Sequence, residues 1–320
     1  MRKFWLTITA TLVAAGMYAQ NNMTVATQKA TLAKESLDSG DYLTAVSGFK
    51  DALSLAEQCG DEGINLASVC KEIIPKALNA AARKSLNAND FDSAISSLKG
   101  VVDFAGFYGD TQTAERAKAL IPQILVKKAG VLLDSKKYEE AAEACETALE
   151  TDPSNGIASL RLGMALESLG NYWNAVDAYK NAAANGQAKN AAARLGQCYL
   201  LRALEELKTK DFNAAVKDAV ASNEYVPNPQ TLQIAGNASM MSGNRTDAIE
   251  YFEKYIAAAP SADNLGQVAY VVGALCQENG DNAKALEFFG KAVSDPKYGA
   301  DAKKAIDTII KASKASKKRR

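Results

Sequence analysis

The chain has 320 residues, of which 48% are apolar and 23% charged, with seven prolines and no histidine. This composition lies within the globular range and excludes a disordered or collagen-like chain, and the absence of histidine removes Ser-His and Cys-His nucleophile pairs, histidine metal sites and the commonest general base near neutral pH. Formal charge is zero overall, but residues 20 to 310 hold 29 basic against 37 acidic side chains, a balance that disfavours nucleic acid as a partner.

At the N-terminus Arg2 and Lys3 precede an apolar run from Phe4 to Ala19, interrupted only by Thr7, Thr9, Thr11 and Gly16. A short basic region followed by an apolar stretch too short to span a bilayer reads as a bacterial secretory signal peptide over residues 1–19, cleaved after Ala19. No cysteine lies beside that point, so a lipid-anchored N-terminus is not expected, and the remainder is placed in the periplasm or cell envelope. Five cysteines (Cys59, Cys70, Cys145, Cys198 and Cys276) are scattered without a C-x-x-C pair, and only Cys59 and Cys70 are near enough in sequence to invite a bridge.

From residue 20 to 296 a small residue recurs just after a turn, at Ala45, Ala94, Ala141, Ala175, Ala215, Ala248 and Ala285, and predicts seven helical hairpins. The turns read Gly40-Asp41, Asn89-Asp90, Lys136-Lys137, Gly170-Asn171, Lys210-Asp211, Gly243-Asn244 and Gly280-Asp281. Glycine there supplies a left-handed stop and Asp or Asn caps the next helix. Three glycines stand twelve residues before their alanines (Gly163 and Ala175, Gly236 and Ala248, Gly273 and Ala285), where a close crossing of two helices has no room for a larger side chain. Pro153, Pro227 and Pro260 each follow an alanine by twelve residues and end the second helix. Alanine spacings of 49, 47, 34, 40, 33 and 37 make the first helices of the second, third and fifth hairpins long. In the fifth, Gly196 precedes Ala215 by 19 residues, an excess of about two helical turns that keeps one face inward. A final amphipathic helix over 297–313 (Ala302, Ala305, Ile306, Ile309, Ile310) caps the last hairpin, and 314–320 is a basic tail able to meet an anionic membrane surface.

The segment Arg161-Leu162-Gly163-Met164-Ala165-Leu166, then Gly170-Asn171-Tyr172, Ala175, Tyr179 and Ala182, resembles the tetratricopeptide repeat. The stretch from Ala178 to Tyr199 also resembles the neighbouring Sel1-like repeat. The resemblance implies an all-α fold, a right-handed superhelical solenoid of about seven hairpins, and a non-enzymatic scaffold that takes a peptide or partner protein on the concave surface lined by first helices. Family positions two, five, nine, twelve and thirteen fall on Lys34, Asn79, Arg83, Ile157, Leu160, Met164, Glu167, Gln197, Gln233, Asn237, Met241, Tyr270 and Gln277, the expected binding residues, with Leu37, Val126, Leu133, Leu200, Leu201 and Met240 beside them. Relatives that clamp acidic C-terminal peptides use Lys and Asn or Arg in consecutive repeats. Only Lys34, Asn79 and Arg83 match that series, and Val126 and Gly130 break it.

No P-loop, dinucleotide glycine turn or calcium loop is present, and no cofactor or metal is expected. The acidic group Glu139, Glu140, Glu143 and Glu146 lies at helical spacing and reads as a solvated face. Two rival functions remain at this stage: a glycan or small-molecule binder, which requires an aromatic platform for which Tyr270 is the one groove candidate, and a carboxylate-based enzyme.

Overall fold

A computed structural model describes residues 2–318, with side chains from 20 to 315. The apolar run of the expected signal peptide and the last basic residues therefore lie outside the described side chains. Every element among the described residues is helical, and none is long and apolar enough to cross a membrane.

The chain divides into two compact units. The first comprises α1 (Arg2–Asp38), α2 (Tyr42–Glu57), α3 (Ile64–Asn87), α4 (Phe91–Phe107) and α5 (Thr111–Asp134), each packed on its successor. The second holds α7 (Gly156–Ser168), α8 (Tyr172–Ala182), α9 (Ala188–Thr209), α10 (Phe212–Tyr225), α11 (Pro229–Met241), α12 (Arg245–Ala258), α13 (Leu265–Glu278), α14 (Asn282–Ala292) and α15 (Gly299–Lys318), again packed mainly in chain order. Between them in sequence lies α6 (Tyr138–Thr151), whose residues up to Ala142 belong to the second unit and from Glu143 to the first.

Short turns form this array because one residue serves two helices. At Gly40-Asp41, the Asp41 amide donates back to Ser36 and the Gly40 amide to Leu37, closing α1, while the Asp41 carboxylate accepts from the Thr44 amide and opens α2. The same pair of closing bonds recurs at Asp90, Asp110, Asn171, Asp211, Asn244 and Asp281. Each of these residues also caps the following helix through its side chain. The turn needs a left-handed residue before the cap. Glycine fills that place at 40, 109, 170, 243 and 280, whereas Asn89 (φ 57°) and Lys210 (φ 64°) occupy it with side chains, as Lys136 (φ 58°) does at the end of α5.

Packing within the hairpins refines the expected glycine role. A methyl group added at Gly163 would lie 2.5 Å from the Tyr179 ring, at Gly236 2.6 Å from Phe252, and at Gly273 2.7 Å from Phe289. Each glycine thus seats an aromatic sixteen residues ahead, on the same face as the buried alanine one turn before it. The fifth hairpin differs from the sequence expectation. Gly196 meets Tyr225 and Val226 at the far end of α10, and its carbonyl accepts from the buried Ser222 hydroxyl at 2.7 Å. The residue twelve before Ala215 is Ala203, fully buried with Ala219, Ile234 and Ala235. The two extra turns of α9 therefore extend the hairpin beyond its crossing point, and alanine takes the crossing itself.

At the C-terminal end, Ala302 and Ile309 of α15 are buried, with Ala305 and Ile306 packed against the same cluster, while Ile310 faces solvent. All five cysteines are buried thiols, and no bridge joins Cys59 to Cys70.

Candidate functional site

In the first unit the long helices α3 and α5 leave a cleft between them. On α3, residues 71, 72, 75, 76, 79, 80 and 83 recur every three to four positions and share one face. The opposite face, with Cys70, Ile74, Ala77, Leu78 and Ala81, is core. Facing them are Asp110, Thr113, Arg116, Ala117 and Leu120 of α5 and its cap, around a volume of about 510 Å³. A second hollow of about 450 Å³ shares Asn79, Arg83 and Leu120 with the first and continues to Ala82, Leu86, Gln123, Ile124 and Lys127, with Leu98 of α4 contributing to its lining. The two form one groove, in which Arg83 lines both hollows and Lys127 stands beside the aliphatic side chains of the second.

Ion pairing decides which cations are available to a ligand. Lys71 is held by Glu57 at 2.8 Å and lies over the Tyr108 ring, and Lys76 pairs with Glu72 on its own helix. Arg83 and Arg116 make no ion pair among the described residues; Arg116 acts at longer range, helping the Thr113 hydrogen bonds hold the Asp110 carboxyl below its usual range. Asn79 is oriented by donating from Nδ2 to the Pro75 carbonyl at 2.9 Å. Pro75 lacks an amide hydrogen, so it also releases the Lys71 carbonyl from the helical ladder.

Of the residues expected from repeat positions, Asn79 and Arg83 meet in this groove. Lys34 is exposed on α1 and pairs with Asp38 at 2.7 Å. Val126 is buried rather than presented. Leu37 and Leu133 are half-buried in the first unit, and the others belong to the second. Ile157, Gln197, Met241 and Gln277 are exposed, and Gln233 and Asn237 half-buried. Leu160 and Met164 pack against the core around Tyr179 and Leu195. Glu167 is already engaged: it accepts from the Tyr179 hydroxyl and pairs with Arg194 at 2.8 Å, locking α7, α8 and α9 together. Burial and that hydrogen bond raise the Tyr179 pKa. Tyr270 is half-buried against Phe289 and Tyr298, each ring 5.5 Å away, so it presents no open face comparable to a sugar platform.

Counting repeat positions did not find Lys71, Lys76, Arg116 and Lys127, because α3 and α5 are 24 residues long and run past the family's first helix. A signal did exist: Pro75 and Pro122 are each the twelfth residue of their helix and lie 47 residues apart, the spacing that separates Ala94 from Ala141.

A different polar cluster lies inside the second unit. Glu206 and Asp218, on α9 and α10, are both almost fully buried, and Arg202 Nε sits 2.8 Å from Asp218 Oδ2. Glu206 Oε2 is buried without a hydrogen-bond partner. Desolvation, reinforced by Asp218, pushes the Glu206 carboxyl up to about 7, and burial raises Asp218 as well. The Arg202 guanidinium also lies 5.5 Å from the Trp173 and Tyr199 ring centres. Among the described residues no group of three or more His, Cys, Asp or Glu is placed to hold a metal ion.

Antiparallel helices joined by a repeated turn, each packed mainly on its chain neighbours, define a helical-repeat protein. Within it, residues 126–191 match the tetratricopeptide-repeat family. No curated protein matches the chain. Among solved structures, MamA (41-end) from Desulfovibrio magneticus RS-1 is similar at 19% identity, covering 53% of this chain and 92% of that one, with a TM-score of 0.32. YrrB, described as a tetratricopeptide-repeat protein with an unusual peptide-binding site, is similar at 20% identity over 57% of this chain and 91% of its own, with a TM-score of 0.34. A thermophilic repeat protein in Thermus thermophilus is similar at 16% identity over 59% and 98%, with a TM-score of 0.27. Likenesses this weak carry no argument about partners.

Proposed function

We propose that this chain is a non-enzymatic scaffold that receives a segment of another protein, and that it acts in the bacterial cell envelope after removal of residues 1–19. The observation that carries the binding reading is the open groove between α3 and α5, which keeps polar and apolar side chains exposed on one helix face while the opposite face is core. Helical repeats offer such surfaces to extended or helical segments, which anchor through a few side chains and backbone hydrogen bonds. The export reading rests on the basic and apolar pattern before Ala19. The cysteines are compatible with it, since burial raises the thiols of Cys70, Cys198 and Cys276 and so suppresses the reactive thiolate in an oxidising compartment.

Two measurements test this. Mass spectrometry of the protein from fractionated cells is expected to find an N-terminus at Gln20 in the envelope fraction; a full-length chain in the cytoplasm refutes export. Cross-linking of the mature protein in envelope extract is expected to join a partner to α3 or α5. Turnover in a hydrolase screen, or retention on a glycan array without any protein cross-link, refutes the scaffold.

A further inference from the structure

We propose that the hairpin of α9 and α10 carries a proton-operated clasp, shut while Glu206 holds a proton and donates it to the Asp218 carboxylate, and opened to water between the two helices when that proton leaves. The inference goes beyond the scaffold reading, since it concerns how the array opens and stands whatever the chain binds.

Repeat positions single this hairpin out. Counted from Asp211, the last turn residue before α10, Glu206 stands five places back and Asp218 seven ahead. At the first of these places the other six hairpins hold only Ser, Leu or Cys, and at the second only Gly, Ala, Ser, Tyr or Phe. Two carboxyl groups therefore occupy places that carry no charge elsewhere in the array. They are 7% and 3% exposed and lie within hydrogen-bonding reach of each other across the hairpin.

Charge balance then calls for a proton. Among the described residues, the one cation in ion-pair contact with the two is Arg202, whose Nε lies 2.8 Å from Asp218 Oδ2. Asp218 is thus the matched member and Glu206 the one left over. Around them α10 adds the exposed Lys217 and the capping Asp211, and α8 adds Lys180. Glu167 of α7 is matched by Arg194, while residues 183–187 and α11 hold no ionisable side chain. Ionising both carboxyls sets one guanidinium against two buried carboxylates, a state that is relieved by taking up either a proton or water. The network is under-satisfied from the start, because Arg202 Nε, Asp218 Oδ2 and Glu206 Oε2 are all buried without a hydrogen bond.

The opening is bounded at both ends. The turn at Lys210-Asp211 closes one, and the bond from the buried Ser222 hydroxyl to the Gly196 carbonyl fastens the other. Between them the Arg202 side chain, 18% exposed beside the Trp173 ring, marks the way in for water. Loss of the Glu206 proton to solvent therefore hydrates the middle of the hairpin and disturbs the guanidinium next to Trp173, and the neighbouring hairpins stay folded.

The test uses the full chain with Trp5→Phe, which leaves Trp173 as its one tryptophan. Between pH 5 and 9 the Trp173 emission is expected to change in a single step near the Glu206 value of about 7. Peptides containing Glu206 or Asp218 are expected to gain several-fold in hydrogen exchange across that step, after correction for the intrinsic effect of pH, while peptides of α12 to α14 hold constant. Glu206→Gln is expected to abolish both changes. Arg202→Gln is expected to move the step to higher pH, because the carboxyls then keep their protons longer. Flat emission with unchanged exchange, a step that survives in Glu206→Gln or is unmoved by Arg202→Gln, or a gain in exchange spread evenly over the whole second unit each overturns the clasp.

Discussion

Replacing Glu206 with glutamine is expected to make the second unit more stable at alkaline pH. Glu206 is 7% exposed and shares its surroundings with Asp218 and Arg202, with Asp211 and Lys217 contributing to the local field and Lys180 acting on Asp218 from α8. Its carboxyl is raised from the ordinary 4.5 to about 7. At 1.36 kcal/mol per pH unit, that rise corresponds to a penalty of about 3 kcal/mol for keeping the carboxylate buried and ionised. The sign follows from proton linkage. The native state holds the proton between pH 4.5 and 7 while the unfolded chain has released it, so stability is fully present below 4.5 and declines as pH rises toward 7. Glutamine keeps the volume and removes the titration. For a unit of this size, about 3 kcal/mol is about 6–12 °C in Tm. Differential scanning calorimetry of wild type and Glu206→Gln from pH 5 to 8.5 is expected to show the variant gaining at least several degrees relative to wild type at the upper end. Parallel profiles across that range would refute the raised Glu206 carboxyl at this site.

Gly273→Ala places a methyl group 2.7 Å from the Phe289 ring and is expected to cost about 1–3 kcal/mol in chemical denaturation, with Phe289→Leu restoring part of the loss; additive effects of the two changes would contradict the glycine-aromatic seat. Ala175→Leu, at a fully buried site, is expected to cost a similar amount, and an unchanged melting curve would count against the hairpin register. Lys210→Gly relieves a left-handed residue and is expected to raise the unfolding free energy by about 1 kcal/mol, seen as a higher denaturation midpoint, whereas a lowered midpoint would mean that the lysine contributes something the turn geometry does not require. Asp281→Ala removes the cap of α14 and is expected to cost about 1 kcal/mol, which amide exchange at the first turn of that helix would locate.

The helices and turns were legible because their causes are local. Gly170-Asn171 announces a stop and a start within two residues, and Pro153, Pro227 and Pro260 lie just past the ends of α6, α10 and α12. The lengthened α3, α5 and α9 were visible as stretched alanine spacings. What could not be read was which atoms meet across the array. Nothing in the order of residues distinguishes Ala203 from Gly196 as the crossing residue of the fifth hairpin, since both are small and both lie inward on α9. Glu167 occupies a family binding position, yet its capture by Tyr179 and Arg194 depends on side chains 12 and 27 residues away. The cationic groove shares this difficulty: Arg83 and Arg116 come from two helices, and their approach follows from packing over α4 and not from any motif.

The turn residue that closes one helix and caps the next has a kinetic consequence. Because Asp41, Asp90, Asp110, Asn171, Asp211, Asn244 and Asp281 each join only sequence neighbours, native contacts form at short loop-closure distances, and the search for partners is never long. Folding within each unit can therefore start at any hairpin and spread, and loss of structure under load or denaturant should begin where a helix has a neighbour on one side only. A lesion at one shared residue loosens two helix ends together, so its damage is doubled in depth yet confined in reach. The array is for that reason tolerant of inserted turns, as α3, α5 and α9 show, and sensitive at the two or three residues that join each pair.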